Sequence, residues 1–440
     1  MSLATPEKIR RLQRKLYVKA KEEPAYRFYA LYDKVYREDI LSHAYRLCRS
    51  RGGAAGVDGV TFSGIESEGV GRWLAGLQEE LHSRAYRPDP VRRVRIAKSD
   101  GGVRPLGIPT IRDRVVQTAA KLVLEPIFEA DFRPPMYGYR PRRSARQAVE
   151  EVHRSLCEGY TDVVDADLSS YFDTIPHDAL MKSVARRVVD KGMLKLIRSW
   201  WKAPVEEIDE KGTRRRAGGR RSWRGIPQGS VIGPLLANLY LNRFLRHWES
   251  QRKGEVFRAR VVAYADDFVI LSRGHAAEAL EWTREVMERL GLALNETKTC
   301  TRNAWREPFD FLGYAFGPER YWRTGRPYLS AQPSRRSQRA LQQRIRGILH
   351  PGNHRPWPEV AGELGTVLRG WSSYFAYGSS RRAFRRSAQY VLERTRHFLR
   401  RRHKVPSRGT RRFPAEWIAH EVGLHWLESP HRGRLPWALA

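Results

Sequence analysis

The chain has 440 residues, of which 81 are Lys or Arg and 48 are Asp or Glu, a formal net charge of +33 at pH 7. At 41% apolar with 13 Trp and 19 Tyr it is too rich in large hydrophobes to remain unfolded, and it is long enough for several domains. So large an excess of one sign repels itself unless a polyanion neutralises it, which points to nucleic acid ahead of a merely solvated surface or an acidic membrane.

Three well-separated cysteines, Cys48, Cys157 and Cys300, fit neither a disulfide framework nor a zinc ribbon. The N-terminus has no apolar signal core, and no run of about 18 apolar residues is present to span a bilayer. A soluble, intracellular protein with no membrane partner is expected.

Residues 5–22 read as a basic amphipathic helix, with Thr5 as N-cap, Pro6 at the first helical position and Ile9, Leu12 and Leu16 on one stripe. Gly52, Gly53, Gly56 and Gly59 then surround Val57 and Asp58, where glycine most simply supplies positive φ for turns. Residues 88–111 give strand, turn and strand: 91–97 alternates apolar residues with Arg, Asp100-Gly101-Gly102 turns, and 103–108 returns. Residues 112–130 have helical period through Val115, Val116, Ala119, Leu122 and Val123, up to Pro126. A β-type run at 162–168 is followed, after Pro176, by a helix through Leu180, Val184 and Val188. The apolar runs 261–264 and 268–271 are separated by Ala265-Asp266-Asp267, and a helix from about His275 to Leu290 stops before Gly291.

Beyond about Ser330 the strands fade. Residues 331–440 hold 22 Lys and Arg against six Asp and Glu, with helical periods through Leu341, Ile345, Ile348 and Leu349 and through Val360, Leu364, Val367 and Leu368. This predicts a helical, phosphate-facing module, in which Arg335, Arg336, Arg400, Arg401, Arg402, Lys404, Arg411 and Arg412 are the expected nucleic-acid contacts.

The acids carry the chemistry. Asp266 and Asp267 stand between apolar β-runs, so a hairpin tip would present two carboxylates where the flanks exclude water. An isolated Asp-Asp is often only a turn former, but a second acidic strand follows the same logic. In 162–168, period 2 puts Asp165 and Asp167 on one face, and either can join the pair. Three convergent carboxylates suit two Mg²⁺ ions, hard cations that bridge phosphates and activate a hydroxyl, which makes phosphoryl transfer the natural chemistry.

Tyr264-Ala265-Asp266-Asp267 resembles the Tyr-x-Asp-Asp motif of reverse transcriptases. The resemblance extends, from about residue 50 to 440, to the group II intron reverse transcriptase/maturases. It is carried by Gly56-Val57-Asp58-Gly59, Arg104-Pro105-Leu106-Gly107-Ile108-Pro109-Thr110, 167–173, Gly225-Ile226-Pro227-Gln228-Gly229, Phe311-Leu312-Gly313-Tyr314 and Gly370-Trp371-Ser372-Ser373-Tyr374-Phe375. What it implies is an α+β right-hand polymerase: fingers, a palm with a ferredoxin-like antiparallel sheet and the Tyr-Ala-Asp-Asp hairpin, then an all-α thumb. The expected boundaries are a basic helical extension at 1–50, fingers and palm at 51–330, a thumb/maturase domain at 331–402 and a basic DNA-binding segment at 403–440.

By that resemblance Asp167, rather than Asp165, is the third catalytic carboxylate with Asp266 and Asp267, and the Leu168 backbone carbonyl joins them on two Mg²⁺ ions, for which Mn²⁺ can substitute. Phe172, five residues after Asp167, falls where similar polymerases place a ring that rejects a ribose 2′-hydroxyl; ordinary core packing is the competing reading. Lys98 and Arg104 flank the Asp100–Gly102 turn and could clamp a triphosphate. Gln228, Gly229 and Tyr264 complete the nucleotide contacts. Ser230 and Gly233 depart from the family pattern of Gly-Gly and Ser-Pro. Trp371, Tyr374 and Phe375 are at helical spacing and are expected to pack.

The implied function is RNA-directed DNA synthesis with intron RNA as template, a DNA primer or target and dNTPs, together with maturase activity in splicing and retrohoming, in a bacterial cytoplasm. The zinc endonuclease of many relatives is not expected, which would require a primer from elsewhere, such as a nascent strand at a replication fork. The competing readings are a domesticated reverse transcriptase of repair or phage defence and a splicing cofactor with dispensable polymerase activity. Nothing in the pattern sets an oligomeric state.

Overall fold

The computed structural model describes residues 3–97, 103–208, 214–218, 223–321, 323–424 and 427. The chain divides into two compact units that alternate along the sequence: Met1–Arg142, Leu168–Arg252 and Trp282–Asn295 make the first, and Arg143–Asp167, Lys253–Glu281 and Glu296–Ala440 the second.

The first unit opens with the helix Glu7–Glu22, which buries Ile9 and Leu16. Pro6, not Thr5, holds the cap position. Its φ of −56° and ψ of 149° are extended, and its carbonyl accepts from the Ile9 and Arg10 amides at 3.1 and 2.9 Å, so the helix begins one residue later than the pattern predicts. Helix Ile111–Glu129 is capped by the Thr110 hydroxyl, which accepts from the Asp113 amide, and buries Val115, Val116, Ala119 and Val123. It continues past Pro126. A proline has no N–H for the carbonyl four residues back, and here Gln13 Nε2 supplies the donor to Leu122 O at 2.9 Å.

A four-stranded sheet follows the order Val103–Ile108, Val91–Ala97, Pro204–Ile208, Arg214–Gly218, with Val91–Ala97 parallel to Pro204–Ile208 and the other pairs antiparallel. Helix His177–Ala185 stops short of Val188, because the backbone there pairs with Phe28: Phe28 N donates to Arg187 O at 2.7 Å and Val189 N to Phe28 O at 2.9 Å. Beside it packs Gly233–Ser250, whose Leu235, Leu236, Tyr240 and Phe244 are buried.

The second unit is built on a sheet of order Ala259–Tyr264, Asp267–Ser272, Asp162–Asp167, Cys300–Asn303, antiparallel throughout. Val163, Val164, Val262, Val269, Ile270 and Leu271 fill its core, and the strand of 162 ends at Asp167. Helix Ala145–Cys157, which packs on it, starts with a Ser144–Gln147 capping box. A three-stranded sheet of Pro327–Pro333, Tyr314–Arg320 and Phe309–Phe311 comes next, its first strand reaching three residues past Ser330. Among the described residues four helices then follow: Arg335–Ile348, Trp357–Tyr374, Arg381–Arg402 and Ala415–Val422. Their cores hold Leu341, Ile345, Val360, Leu364 and Leu368. Trp371 lies 4.9 Å from Phe375 and 5.2 Å from Phe384, ring to ring, and Phe375 5.0 Å from Tyr314, so this aromatic motif packs.

Helices together with sheets that are antiparallel but for one strand pair give the α+β class the sequence implies. No helix among the described residues is long and apolar enough to cross a membrane.

Candidate catalytic centre

In the second unit, strands Ala259–Tyr264 and Asp267–Ser272 pair with Tyr264 opposite Asp267, which leaves Ala265 and Asp266 as a two-residue loop. Such a loop needs positive φ at its first position, usually supplied by glycine; Ala265 adopts it, at +57°, while buried. The adjoining strand Asp162–Asp167 ends with Asp167 opposite Asp267. Register alone thus gathers Asp167, Asp266 and Asp267 at one end of one sheet.

Charge there is poorly compensated. Desolvation, and then the negative charges of Asp266, Asp167 and Asp165, push the Asp267 carboxyl up to about 6, against the pull of Lys298. Asp267 keeps an exposed surface, and the like charges beside it are what a bound cation would reverse. Burial, with Asp167 and Asp310 adding to it and Arg302 opposing, also pushes Asp165 up to about 6. Lys298 Nζ lies 3.2 Å from Asp167 Oδ2, and the Asp167 amide donates to Thr299 Oγ1 at 3.4 Å. Among the described residues no three acidic, His or Cys side chains close round a common metal position; Asp167 is drawn toward the Lys298 ammonium. The donors themselves are carboxylate oxygens carrying excess negative charge, which suits a hard divalent cation. Tyr264 precedes the loop, and burial first and Tyr264 second hold the Tyr374 hydroxyl above its ordinary value.

The first unit holds the other expected contacts. Leu168 forms a bridge with Leu294 and is buried. Phe172 is buried beside Tyr171 in the short helix Tyr171–Thr174, and its carbonyl accepts from the Ile226 amide at 2.7 Å. That bond ties it to the loop carrying Gln228, whose Nε2 donates to Asp173 Oδ2 at 2.9 Å and whose carbonyl accepts from the Gly107 amide at 2.6 Å. Gly229 has φ +104°, and a Cβ there would stand 2.1 Å from Gly107 O. Phe172 is thus tied to the loop carrying Gln228 and Gly229, and that loop lies against strand Val103–Ile108 at Gly107.

Arg104 sits on that strand opposite Ile96; its side chain, and all of Lys98, lie outside the described residues. The Gly56 motif meets the same segment, since a Cβ on Gly56 would fall 2.7 Å from Thr110 Cα. Two residues here carry no local signal. Gln117 Oε1 accepts from Ser230 Oγ at 3.0 Å and from the Val231 amide at 2.9 Å, which gives the departing Ser230 a structural task. Asp173, which anchors Gln228, was visible in the sequence only as the last residue of the motif at 167–173.

Of the expected phosphate contacts, Arg335 and Arg336 are exposed at the start of their helix. Arg400, Arg401 and Arg402 close the helix Arg381–Arg402, where its dipole favours cations. Arg402 also donates to the carbonyls of Arg355 at 2.8 Å and His354 at 3.4 Å, so part of its work is structural. Lys404, Arg411 and Arg412 are exposed beyond it. Of the expected DNA-binding segment, residues 425, 426 and 428–440 lie outside the described residues.

The reverse transcriptase (RNA-dependent DNA polymerase) family matches residues 96–316, half of the chain, and the group II intron maturase-specific domain matches 338–415. The chain is 38% identical to protein YkfC of Escherichia coli, over 70% of its own length and 87% of that protein. It is 29% identical to the COX1/OXI3 intron 1 protein of Saccharomyces cerevisiae, over 63% of its length and 38% of that protein. It is 28% identical to the group II intron-encoded protein LtrA of Lactococcus lactis, over 65% and 56%. It thus spans most of the first relative and about half or less of the other two.

Proposed function

The chain belongs to the group II intron-encoded reverse transcriptases, and from that premise we propose that it extends a DNA primer with dNTPs on an RNA template at Asp167, Asp266 and Asp267. The observation that carries the reading is the register that sets Asp167 opposite Asp267 beside the Asp266 loop, in an all-carboxylate cluster short of positive charge. Those three side chains, with the Leu168 carbonyl, would hold two Mg²⁺ ions, with Mn²⁺ as a substitute. When bound, such ions lower the cost of ionising the primer 3′-hydroxyl and offset the charge of departing pyrophosphate.

The remaining residues bind and select. Phe172, held rigid by burial and by the Ile226 amide, would lie under the nucleotide sugar and refuse a 2′-hydroxyl. The Gln228 loop, fixed to Gly107 and Asp173, would set the nucleotide's position, and Tyr264 would flank it. Lys98 and Arg104 would clamp the triphosphate. Arg335, Arg336, Arg400, Arg401, Arg402, Lys404, Arg411 and Arg412 would track the phosphates of a group II intron RNA or its DNA target, in a domain running from 331 to 402 and a segment from 403 to 440. Their contribution would be independent of sequence and steeply dependent on salt.

The test is primer extension on an RNA template in Mg²⁺, with dNTPs against NTPs, comparing the wild type with an Asp266→Asn, Asp267→Asn double variant while RNA binding is followed in parallel. Incorporation of dNTPs by the wild type alone, with both proteins binding RNA, supports the reading. A well-folded wild type that binds RNA and never extends, in Mg²⁺ or Mn²⁺, replaces it with a splicing cofactor.

A further inference from the structure

We propose that the first unit carries an additional phosphate site, built from residues none of the expected contacts uses, that grips the backbone of a bound RNA. The inference rests on the polymerase reading, which makes RNA the polyanion at hand.

Helices His177–Ala185 and Gly233–Ser250 flank a cleft of about 250 Å³ lined by Asp131, Lys182, Arg186, Arg243 and Arg246. A neighbouring cleft of about 200 Å³ shares Asp131, Arg186 and Arg246 and adds Arg187. Among the described residues Asp131 is the one acid on either wall, and it is already engaged: Arg187 donates to both its oxygens, at 2.8 and 2.6 Å. The rest of the Arg187 fork reaches the carbonyls of Ala20, Glu23 and Tyr26. Arg243 donates to Ala179 O at 3.0 Å, tying the two helices together.

Lys182, Arg186 and Arg246 are left without a hydrogen-bond or ion-pair partner among the described residues. Lys182 and Arg186 stand four residues apart, and Arg243 and Arg246 three, spacings at which like charges on one helical surface repel. Burial, then Arg186 and Arg133, hold the Arg246 guanidinium below its ordinary value, with Asp131 opposing. A concave surface where several elements aim unneutralised forks inward is suited to phosphate oxygens. Successive phosphates of one strand could meet Lys182, Arg186 and Arg246 together, which a single small anion in the mouth of the cleft would not.

The full chain would be titrated, at several salt concentrations, with a labelled RNA template that is annealed to a DNA primer and carries a long single-stranded extension. The triple variant Lys182→Gln, Arg186→Gln, Arg246→Gln should bind about ten-fold or more weakly near physiological salt, and its log–log salt slope should flatten by about two, at about 0.7 per single-strand contact. Arg186→Lys with Arg246→Lys keeps the charge and should bind within about two-fold of wild type. Triple-variant binding equal to wild type overturns the proposal, as does equal loss in both variants, which would mark these residues as structural. Tripolyphosphate that raises the unfolding temperature of the wild type but not the triple variant, with RNA affinity unchanged, would make this a small-anion site and also overturn it. Primer extension by the wild type runs alongside: failure there sinks the polymerase reading, whereas loss of RNA by the triple variant would leave this site standing.

Discussion

Asp167 and Asp267 face each other as the last pair of the ladder between Asp162–Asp167 and Asp267–Ser272. A slip of one residue would turn one strand's side chains to the opposite face and part the two carboxylates that this register sets against each other. Replacing any one of Asp167, Asp266 or Asp267 with Asn should lower dNTP incorporation by more than about 100-fold, the upper range for losing a mere outer-shell partner of a metal. Asp266→Asn and Asp267→Asn each also remove a like charge, so the unfolding temperature of the metal-free protein should hold or rise in those two variants. Chelation with EDTA should stop extension and spare RNA binding. Activity that survives in the Asp266→Asn, Asp267→Asn double variant would refute the assignment.

Ala265 turns the hairpin with φ +57°, a conformation that costs a side-chain-bearing residue about 1–2 kcal/mol. Ala265→Gly should therefore keep activity and change stability by less than about 1 kcal/mol, strain relief and added chain entropy opposing each other. Ala265→Val should destabilise by about 2 kcal/mol or more, since a β-branched residue fits neither the dihedral nor the buried site. Urea unfolding of the two variants decides; equal stability would mean the loop relaxes freely.

Gly229 and Ser230 do different work in adjacent positions. Gly229→Ala drives a methyl against the Gly107 carbonyl and should break the Gly107–Gln228 hydrogen bond, raising KM for dNTPs more than it alters RNA affinity. Ser230→Gly restores the commoner family residue but removes one of the two donors to Gln117, and should cost about 1 kcal/mol. Steady-state kinetics and thermal unfolding separate the two; an unchanged KM in Gly229→Ala would detach this loop from the nucleotide.

Where local pattern and final structure agree, one physical signal dominates. Val91–Ala97 and Val103–Ile108 pair where alternation places them, the Asp100-Gly101-Gly102 turn itself lying outside the described residues, and the acidic hairpin forms between its two apolar runs. Strands Pro204–Ile208 and Arg214–Gly218 carry no apolar alternation, since five of their ten residues are charged. Glu206 is buried there by pairing with Arg216 at 2.9 Å, a long-range compensation that hydropathy does not register. The same holds for Gln117 with Ser230, 113 residues apart. The central position of Asp162–Asp167 in its sheet depends on strands more than 90 residues downstream, so period 2 could propose Asp165 or Asp167 but could not supply Lys298 as the neighbour of one and Arg302 as the neighbour of the other.

Asp113 gives a pH signature away from the acids of the candidate centre. It is 2% exposed and accepts from Tyr86 Oη at 2.6 Å and the Asp89 amide at 3.0 Å; burial, with the charge of Asp89, pushes it up to about 6 despite those bonds. The folded state thus binds this proton more tightly than the unfolded chain. Its contribution is fully present below about pH 4, is lost as pH rises to about 6 and is level above that, a fall of about 3 kcal/mol. Asp113→Asn cannot titrate. Its deficit relative to wild type, measured by urea unfolding, should be largest at about pH 4 and below and shrink toward pH 7; a deficit independent of pH would mean that Asp113 is ionised throughout.

Pro126 and Gln13 form a coupled pair that a double-mutant cycle can isolate. The proline leaves Leu122 O without its helical donor, and Gln13 Nε2 fills the gap from another helix at 2.9 Å. Gln13→Ala alone should cost about 1–2 kcal/mol, the range for a carbonyl left unpaired in a partly buried setting. Pro126→Ala restores an N–H four residues after Leu122, so in that background Gln13→Ala should cost little. The coupling should be about 1 kcal/mol. Additive effects would show that the Leu122 carbonyl is satisfied by water whenever Gln13 is absent, and that the helix passes Pro126 by packing of its buried face alone.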